Sequence, residues 1–259
     1  MNVSLETQSI IVTGAASGIG RAVAEHAAAA GADGLLLTDV DEAGLQNVAE
    51  ALGNGTPIQI FAADLAEPEA ASRICDQAKA AFGRIDGLVN AAGLTTRAGF
   101  LDGSAEVWDR LFAVNARAPF LLMQAVIAKM LRHGRGGTIV NIQSINAHCG
   151  APDLAIYSAT KGALQTLTKN AANAHLKDGV RVNGVNLGWT LTEAEDRLQS
   201  DVLGGGKDWA ERAGRDLPLG RLLRPDEAAR MVVYLLSAAS APLTGVSLDL
   251  DQSVVGAPS

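Results

Sequence analysis

Aromatic side chains are scarce in this protein: five Phe, three Trp and two Tyr among 259 residues. Aliphatics must therefore fill the core, and 48% of the chain is hydrophobic, chiefly Ala, Val, Leu and Ile. That composition suits a parallel sheet buried on both faces by helices. Cysteine is almost missing as well. Cys75 and Cys149 lie far apart and in no C-x-x-C pattern, so two free thiols in a reducing compartment are expected. The chain has no basic run, and its formal net charge is −7. Nucleic acid and anionic membrane surfaces are therefore not expected partners. No apolar run reaches ~18 residues, so no transmembrane helix is expected. The segment Met1–Gln8 is polar and lacks the basic-then-apolar form of a leader, which makes the cytoplasm the default location.

What the chain does have is rhythm. Short apolar runs predict strands at Ser9–Thr13, Leu35–Asp39, Ile58–Ala62, Gly87–Asn90, Thr138–Gln143, Val180–Leu187 and Val246–Leu250. Between them, helical patterns fall on Gly18–Ala30, Glu42–Leu52, near Glu67–Phe82, Ala105–His133 and Ala155–Lys177. A last helix runs to about Ser237 with Pro225 in its first turn, where a missing N–H costs little. Such alternation predicts one α/β domain over residues 1–259, a doubly wound parallel sheet of about seven strands. Ligands in such sheets bind at the carboxyl ends of the strands. Residues Thr190–Arg215 break the rhythm, carrying Gly204-Gly205-Gly206 between Trp189 and Trp209. An excursion of this length reads as a lid, placed within about 189–215, or as a mobile surface insertion.

The turn after the first strand reads Thr13-Gly14-Ala15-Ala16-Ser17-Gly18-Ile19-Gly20. Glycines there let the backbone approach a pyrophosphate, and the following helix offers unpaired N–H groups and a positive dipole end. Asp39 follows Gly20 by 19 residues. A carboxylate at that distance can bond the adenosine ribose hydroxyls and repel a 2′-phosphate, which favours NAD over NADP. It can equally be a turn or capping Asp. Asp64, after the third strand, could reach an adenine amino group or cap a helix. Asn90-Ala91-Ala92-Gly93 ends the fourth strand with small residues, so the chain can pass close beneath a ribose.

Tyr157 and Lys161 stand four apart and share a face if helical. A free phenol with a pKa of ~10 is a poor base at neutral pH. A neighbouring ammonium, or an oxidised nicotinamide, favours the phenolate and is expected to lower that value. Ser144 precedes Tyr157 by 13 residues and could hold a substrate oxygen. Asn115 lies inside a predicted helix, where its amide either ties neighbouring backbone together or has a functional task. The loops expected over the cleft carry Thr95, Thr96, Arg97, Gln143, Asn146, His148, Trp189 and Glu193. A steroid-sized ligand would want a more apolar lining. This set points to a polyhydroxylated substrate such as a sugar, polyol or sugar acid, with Arg97 a carboxylate partner and Asn146, His148 and Trp189 substrate contacts. Each of these can also be a solvated rim residue.

Taken in order, these pieces resemble the classical short-chain dehydrogenase/reductase family over nearly the whole chain. The matching segments are TGAASGIG at Thr13–Gly20, Asp39, Asp64-Leu65, NAAG at Asn90–Gly93, Asn115, IVNIQS at Ile139–Ser144, YSATK at Tyr157–Lys161 and PLGRLLRPDEAA at Pro218–Ala229. The resemblance implies a Rossmann-type fold and an NAD(P)-dependent oxidoreductase acting on a CH–OH group. It implies Tyr157 as acid/base and Lys161 binding the nicotinamide ribose and lowering the tyrosine pKa. Ser144 would orient the substrate oxygen, and Asn115 would hold a water that links Lys161 to solvent. Gly14, Ser17, Gly18, Ile19, Gly20, Asp39, Asp64, Leu65, Asn90, Ala91, Gly93 and Thr192 would hold the dinucleotide, with Thr192 at its carboxamide. It also implies a homo-oligomer, commonly a tetramer. No metal is expected. Two departures stand out: Leu187 where the family usually has proline, and Asp251-Gln252-Ser253 where it usually has Asp-Gly-Gly. Two other readings stay open, a 3-oxoacyl-carrier-protein-type reductase and a non-catalytic NAD-binding regulator.

Overall fold

The computed structural model describes residues 3–255; Met1, Asn2 and residues 256–259 lie outside them. Seven strands form one sheet in the order β3-β2-β1-β4-β5-β6-β7, and every pairing is parallel. They are β1 (Ser9–Thr13), β2 (Gly34–Asp39), β3 (Ile58–Ala62), β4 (Gly87–Asn90), β5 (Gly137–Ser144), β6 (Val180–Leu187) and β7 (Ser247–Leu250). The doubly wound, Rossmann-type sheet read from the sequence is what the chain forms.

Alternation along the strands divides the core in two. Ile10, Val12, Leu35 and Leu37 face α1 (Gly18–Ala29), α2 (Glu42–Leu52) and α9 (Pro225–Leu236). Ile11, Leu36, Leu88 and Ile139 face α3 (Ala70–Phe82), α5 (Ala118–His133) and α6 (Ala155–His175). Each such side chain contributes about 1.5–3 kcal/mol on full burial, against the entropy of ordering the chain. Small residues let the helices lie close: Ala22, Ala24 and Ala27 of α1 are buried in the same cluster as Ala228 and Ala229 of α9.

Helix boundaries depart from expectation in instructive ways. The third helix begins at Ala70 rather than near Glu67. The single long helix expected over Ala105–His133 is split into α4 (Ala105–Phe112), a wider π turn at Ala113–Arg117, and α5. Pro119 explains the break. It has no N–H to return to the carbonyl of Asn115, so a regular α-helix cannot continue there. By length and composition the whole stretch could cross a membrane, yet its apolar window is 61% buried inside the protein, as a core helix is. The excursion after β6 is ordered: α7 (Glu193–Arg197), a π turn at Leu198–Val202, and α8 (Trp209–Arg215). Its base is stitched down where Leu191 donates to the Leu223 carbonyl at 2.8 Å and Leu223 to that of Trp189 at 2.9 Å. Trp209 is buried beneath it, donating to Asp196 at 2.7 Å.

Strand order reverses between β1 and β4, and this switch point opens a crevice at the carboxyl ends of the strands. The loops that carry the sequence motifs meet there.

Candidate active site

Backbone geometry makes the first wall. The chain leaves β1 through Gly14 (φ +66) and enters α1 at Gly18 (φ +53). A Cβ on Gly14 would stand 2.8 Å from the Ala92 backbone, and one on Gly20 would collide with the Gly14 carbonyl. Only glycine closes this turn. Ser17 sits at the N-cap in extended backbone, and its side chain makes no capping bond. Ser17 therefore leaves the first N–H groups of α1 to other partners. Gly18 donates to Glu193 Oε2 at 3.0 Å, and Arg21 pairs with the other oxygen of that carboxylate. Glu193, placed by sequence among the substrate loops, thus lies at the phosphate end. Burial alone would raise its carboxyl pKa, but backbone N–H groups and Arg21 outweigh it and hold the group below its usual range.

Asp39 lines the cleft at the end of β2, accepting from Ala16 N and Asp41 N, each at 3.2 Å. The turn that follows reads Val40-Asp41-Glu42 and carries no cation. Asp64 lines the same cleft. It accepts from Ala66 N at 2.8 Å and pairs with Arg110 at 3.0 Å, contacts that lower its pKa. Ile19, Leu65, Ala91, Gly93 and Thr192 line the same cleft. Asn90 does not. It is buried and donates to Asn141 at 2.8 Å, cross-tying β4 to β5.

The second wall is chemical. Ser144 ends β5, while Tyr157 and Lys161 project from α6 one turn apart, all three buried and all lining a cleft of about 700 Å³. Ser144 accepts from Asn146 N at 3.2 Å. Lys161 Nζ donates to the Ile142 carbonyl at 2.9 Å and lies 5.6 Å from the centroid of the Tyr157 ring. The expected lowering of the phenol pKa is reversed. Burial pushes Tyr157 up to about 12, opposed by the Ser144 hydroxyl and reinforced by the charge of Glu195. Burial likewise pushes Lys161 down to about 8. Removal from water disfavours both charged forms.

Asn115 stands outside the cleft lining, in the π turn. Its Oδ1 accepts from Leu94 N at 2.8 Å, and its Nδ2 donates to Leu94 O at 2.8 Å and Thr160 Oγ1 at 3.1 Å. The amide ties two backbone segments together, one of the two tasks its position suggested. A Cβ on Gly93 would sit 3.5 Å from both Asn115 Oδ1 and Lys161 Nζ, so the two polar groups flank one glycine.

At the substrate end, Thr95, Arg97, Gln143, Asn146 and Trp189 line the cleft. Arg97 is held by Asp153 rather than standing free for a substrate carboxylate. Thr96 and His148 fall outside the lining. His148 turns away to Asp249 at 3.1 Å, which Asn186 also binds at 2.7 Å, because the loop after β5 is pinned to the sheet edge there. Sequence reasoning missed Glu195, which lines the cleft from α7, and the apolar Leu94, Leu154 and Leu198 beside it. A carboxylate in an unmotivated loop carries no motif; the Glu195–Gln199 spacing of four was its only trace.

Both departures from the family pattern acquire a place. Leu187 is buried and lines the cleft. Gln252 accepts from Leu219 N at 2.9 Å and donates to the Arg221 carbonyl at 2.7 Å, fastening the chain terminus to the loop before α9.

A glycine cradle, a helix start whose first N–H already holds a carboxylate and an acidic residue at the next strand end suit a dinucleotide, and a buried Tyr–Lys–Ser set faces it. Residues 14–253 match the family described as Enoyl-(Acyl carrier protein) reductase. Among curated proteins, the chain is 35% identical over 248 residues to L-rhamnose 1-dehydrogenase (NAD(P)(+)) of Sphingomonas sp. (strain SKA58), covering 95% of this chain and 96% of that one. It is 33% identical to (3R)-3-hydroxyacyl-CoA dehydrogenase of Rattus norvegicus, with 95% of each covered. Among solved structures, L-sorbose reductase from Gluconobacter frateurii, complexed with NADPH and L-sorbose, superposes with a TM-score of 0.91 at 28% identity, covering 100% of each chain.

Proposed function

The chain belongs to the short-chain dehydrogenase/reductase family of NAD(P)-dependent oxidoreductases acting on CH–OH groups, and from that premise we propose an NAD-linked dehydrogenase of a sugar, polyol or sugar acid. The observation that carries the reading is the convergence of Ser144, Tyr157 and Lys161 on the cleft that also holds the glycine cradle. A nicotinamide dinucleotide bound there supplies the hydride acceptor and, when oxidised, a positive charge near the phenol. Tyr157 takes the carbinol proton as the C–H bond gives up its hydride. Ser144 holds the oxygen on which charge develops. Lys161 steadies the phenolate and binds the ribose. Asn115 acts as a positioning residue, fixing Leu94 and Thr160 around Lys161. Asp39, Gly14, Ser17, Gly18 and Thr192 hold the dinucleotide, and the carboxylates of the β2–α2 turn select NAD.

Likeness to a rhamnose dehydrogenase and to a sorbose reductase supports a polyhydroxylated substrate. The polar groups at the cleft mouth point the same way. A carrier-bound or coenzyme A thioester would seek free cations there. Arg97 and Arg110, the arginines in the lining, are each paired with a carboxylate. A purely regulatory NAD-binding protein would have no need of all three chemical groups. A homo-oligomer, commonly a tetramer in this family, belongs to the reading, and the exposed Trp108 and Phe120 on α4 and α5 support it. So does a cytoplasmic location, with Cys75 and Cys149 free.

The test follows absorbance at 340 nm with NAD or NADP across neutral sugars, polyols and sugar acids at mildly alkaline pH. NADH formation with one hydroxylated class is expected. Turnover confined to NADPH and a 3-oxoacyl thioester overturns the reading in favour of the reductase.

A further inference from the structure

Glu195 belongs to no motif, yet its carboxylate is built as though to be used. It enters the cleft from α7, with its own N–H held by Thr192 Oγ1 at 3.2 Å. Oε1 accepts from Trp189 Nε1 at 2.9 Å and from Gln199 Nε2 at 2.8 Å. These two donors fix the orientation of the group. Oε2 takes no hydrogen bond, and the carboxylate makes no ion pair, among the described residues. The half-buried carboxylate is near enough to Tyr157 for its charge to bear on the phenol. Across the mouth, Arg97 is paired with Asp153 and so offers Glu195 no counter-charge.

We propose that Glu195 is the residue that reads substrate hydroxyls: its open oxygen accepts O–H groups next to the reacting carbon, and its charge selects neutral sugars or polyols over sugar acids. The inference rests on the polyhydroxylated reading given above and narrows it. A carboxylate whose two donors are already in place loses little freedom on accepting a hydroxyl, and hydrogen bonds to charged groups are the stronger kind. A sugar acid, by contrast, would bring a second carboxylate beside Glu195, where Arg97 is already paired with Asp153 and Lys161 is engaged with the Ile142 carbonyl.

The groups that face the Tyr157 phenol are Ser144 from β5, Lys161 from α6 and Glu195 from α7. Glu195→Gln keeps an acceptor for Trp189 and Gln199 while removing the charge. The experiment compares kcat/KM for a neutral polyol or sugar, its sugar acid, and a simple secondary alcohol, in the wild type and the variant, each checked for folding by its thermal midpoint. The ratio of polyol to simple alcohol should fall about tenfold or more. The preference for neutral sugar over sugar acid should shrink, and the pH at which oxidation half-rises should move down. An equal loss on all three substrates, or ratios that do not change, overturns the role of Glu195 while leaving the dehydrogenase reading intact. Turnover of no polyhydroxylated substrate by the wild type overturns both. Variants that misfold are replaced by Glu195→Asp, which must keep the charge-based preference for neutral sugar; loss of that preference with Asp in place refutes the proposal.

Discussion

The proposed preference for NAD rests on one carboxylate, and Asp39→Asn isolates its charge. Asp39 lies at the end of β2 in the cleft lining, followed by Asp41 and Glu42, with no Lys or Arg in the turn. A 2′-phosphate placed against it would meet repulsion and no partner. Two unit charges ~4 Å apart at an effective dielectric of ~20 repel by about 4 kcal/mol. Solvent at the open rim screens this to roughly 1.5–3 kcal/mol, a preference of ~10–100-fold for NAD over NADP in kcat/KM. Asparagine retains an acceptor for only one of the two N–H groups that Asp39 now serves, Ala16 and Asp41. That loss weakens both cofactors alike and cancels in the ratio. Steady-state kinetics at fixed ionic strength give the ratio directly. Asp39→Asn should collapse most of it, and raising the salt should erode it in the wild type. A wild type that uses both cofactors equally well, or a variant with an unaltered ratio, refutes the electrostatic reasoning.

Two further outcomes follow from titrating groups. Because burial holds Tyr157 protonated well above neutrality, alcohol oxidation should climb with pH as the phenolate fraction grows. Tyr157→Phe should lose about 10²–10⁴-fold in kcat while still binding NADH by fluorescence; a variant that keeps its activity removes the assignment. Arg221 pairs with Glu227 at 2.8 Å and, with the Arg224 N–H, lowers the Glu227 pKa from 4.5 to about 2. A carboxyl depressed by folding adds stability above its unfolded value, lost as pH falls from 4.5 towards 2. With Arg221 39% exposed, screening leaves about 1–2 kcal/mol of the gap. Glu227→Gln should thus lower the thermal midpoint by roughly 3–6 °C at pH 7 and by less at pH 3. An equal deficit at both values contradicts the pairing.

Much of the fold was written plainly because parallel strands covered on both faces read as short aliphatic runs. β1, β3, β4 and β6 begin and end at the residues read from the sequence. What escaped was whatever depends on a partner far away in the chain. Pro119 was visible, but only its conflict with the carbonyl four residues earlier turns a single long helix into two around Asn115. Tyr157, Lys161 and Ser144 were legible because their spacing puts them at one strand end and on one helix face. Their proton affinities were not, since burial, which spacing does not record, dominates both. His148 escaped because it found a nearer partner, Asp249, than the ligand imagined for it. Glu195 could be seen only once Trp189 and Gln199 were known to aim at it.

The contact between Glu193 and the start of α1 ties the α7 segment to the glycine turn. Glu193 follows the bridge between Thr190 and Leu223 by three residues, so its carboxylate is presented to the Gly18 N–H at a high effective concentration. On the reading proposed above, a pyrophosphate seeking that N–H would exchange with an anion the protein already carries, and dinucleotide affinity would be a difference between two similar contacts. Leu191 and Leu223, which stitch the base of the α7 segment from outside the cleft lining, would accordingly set how long the dinucleotide stays.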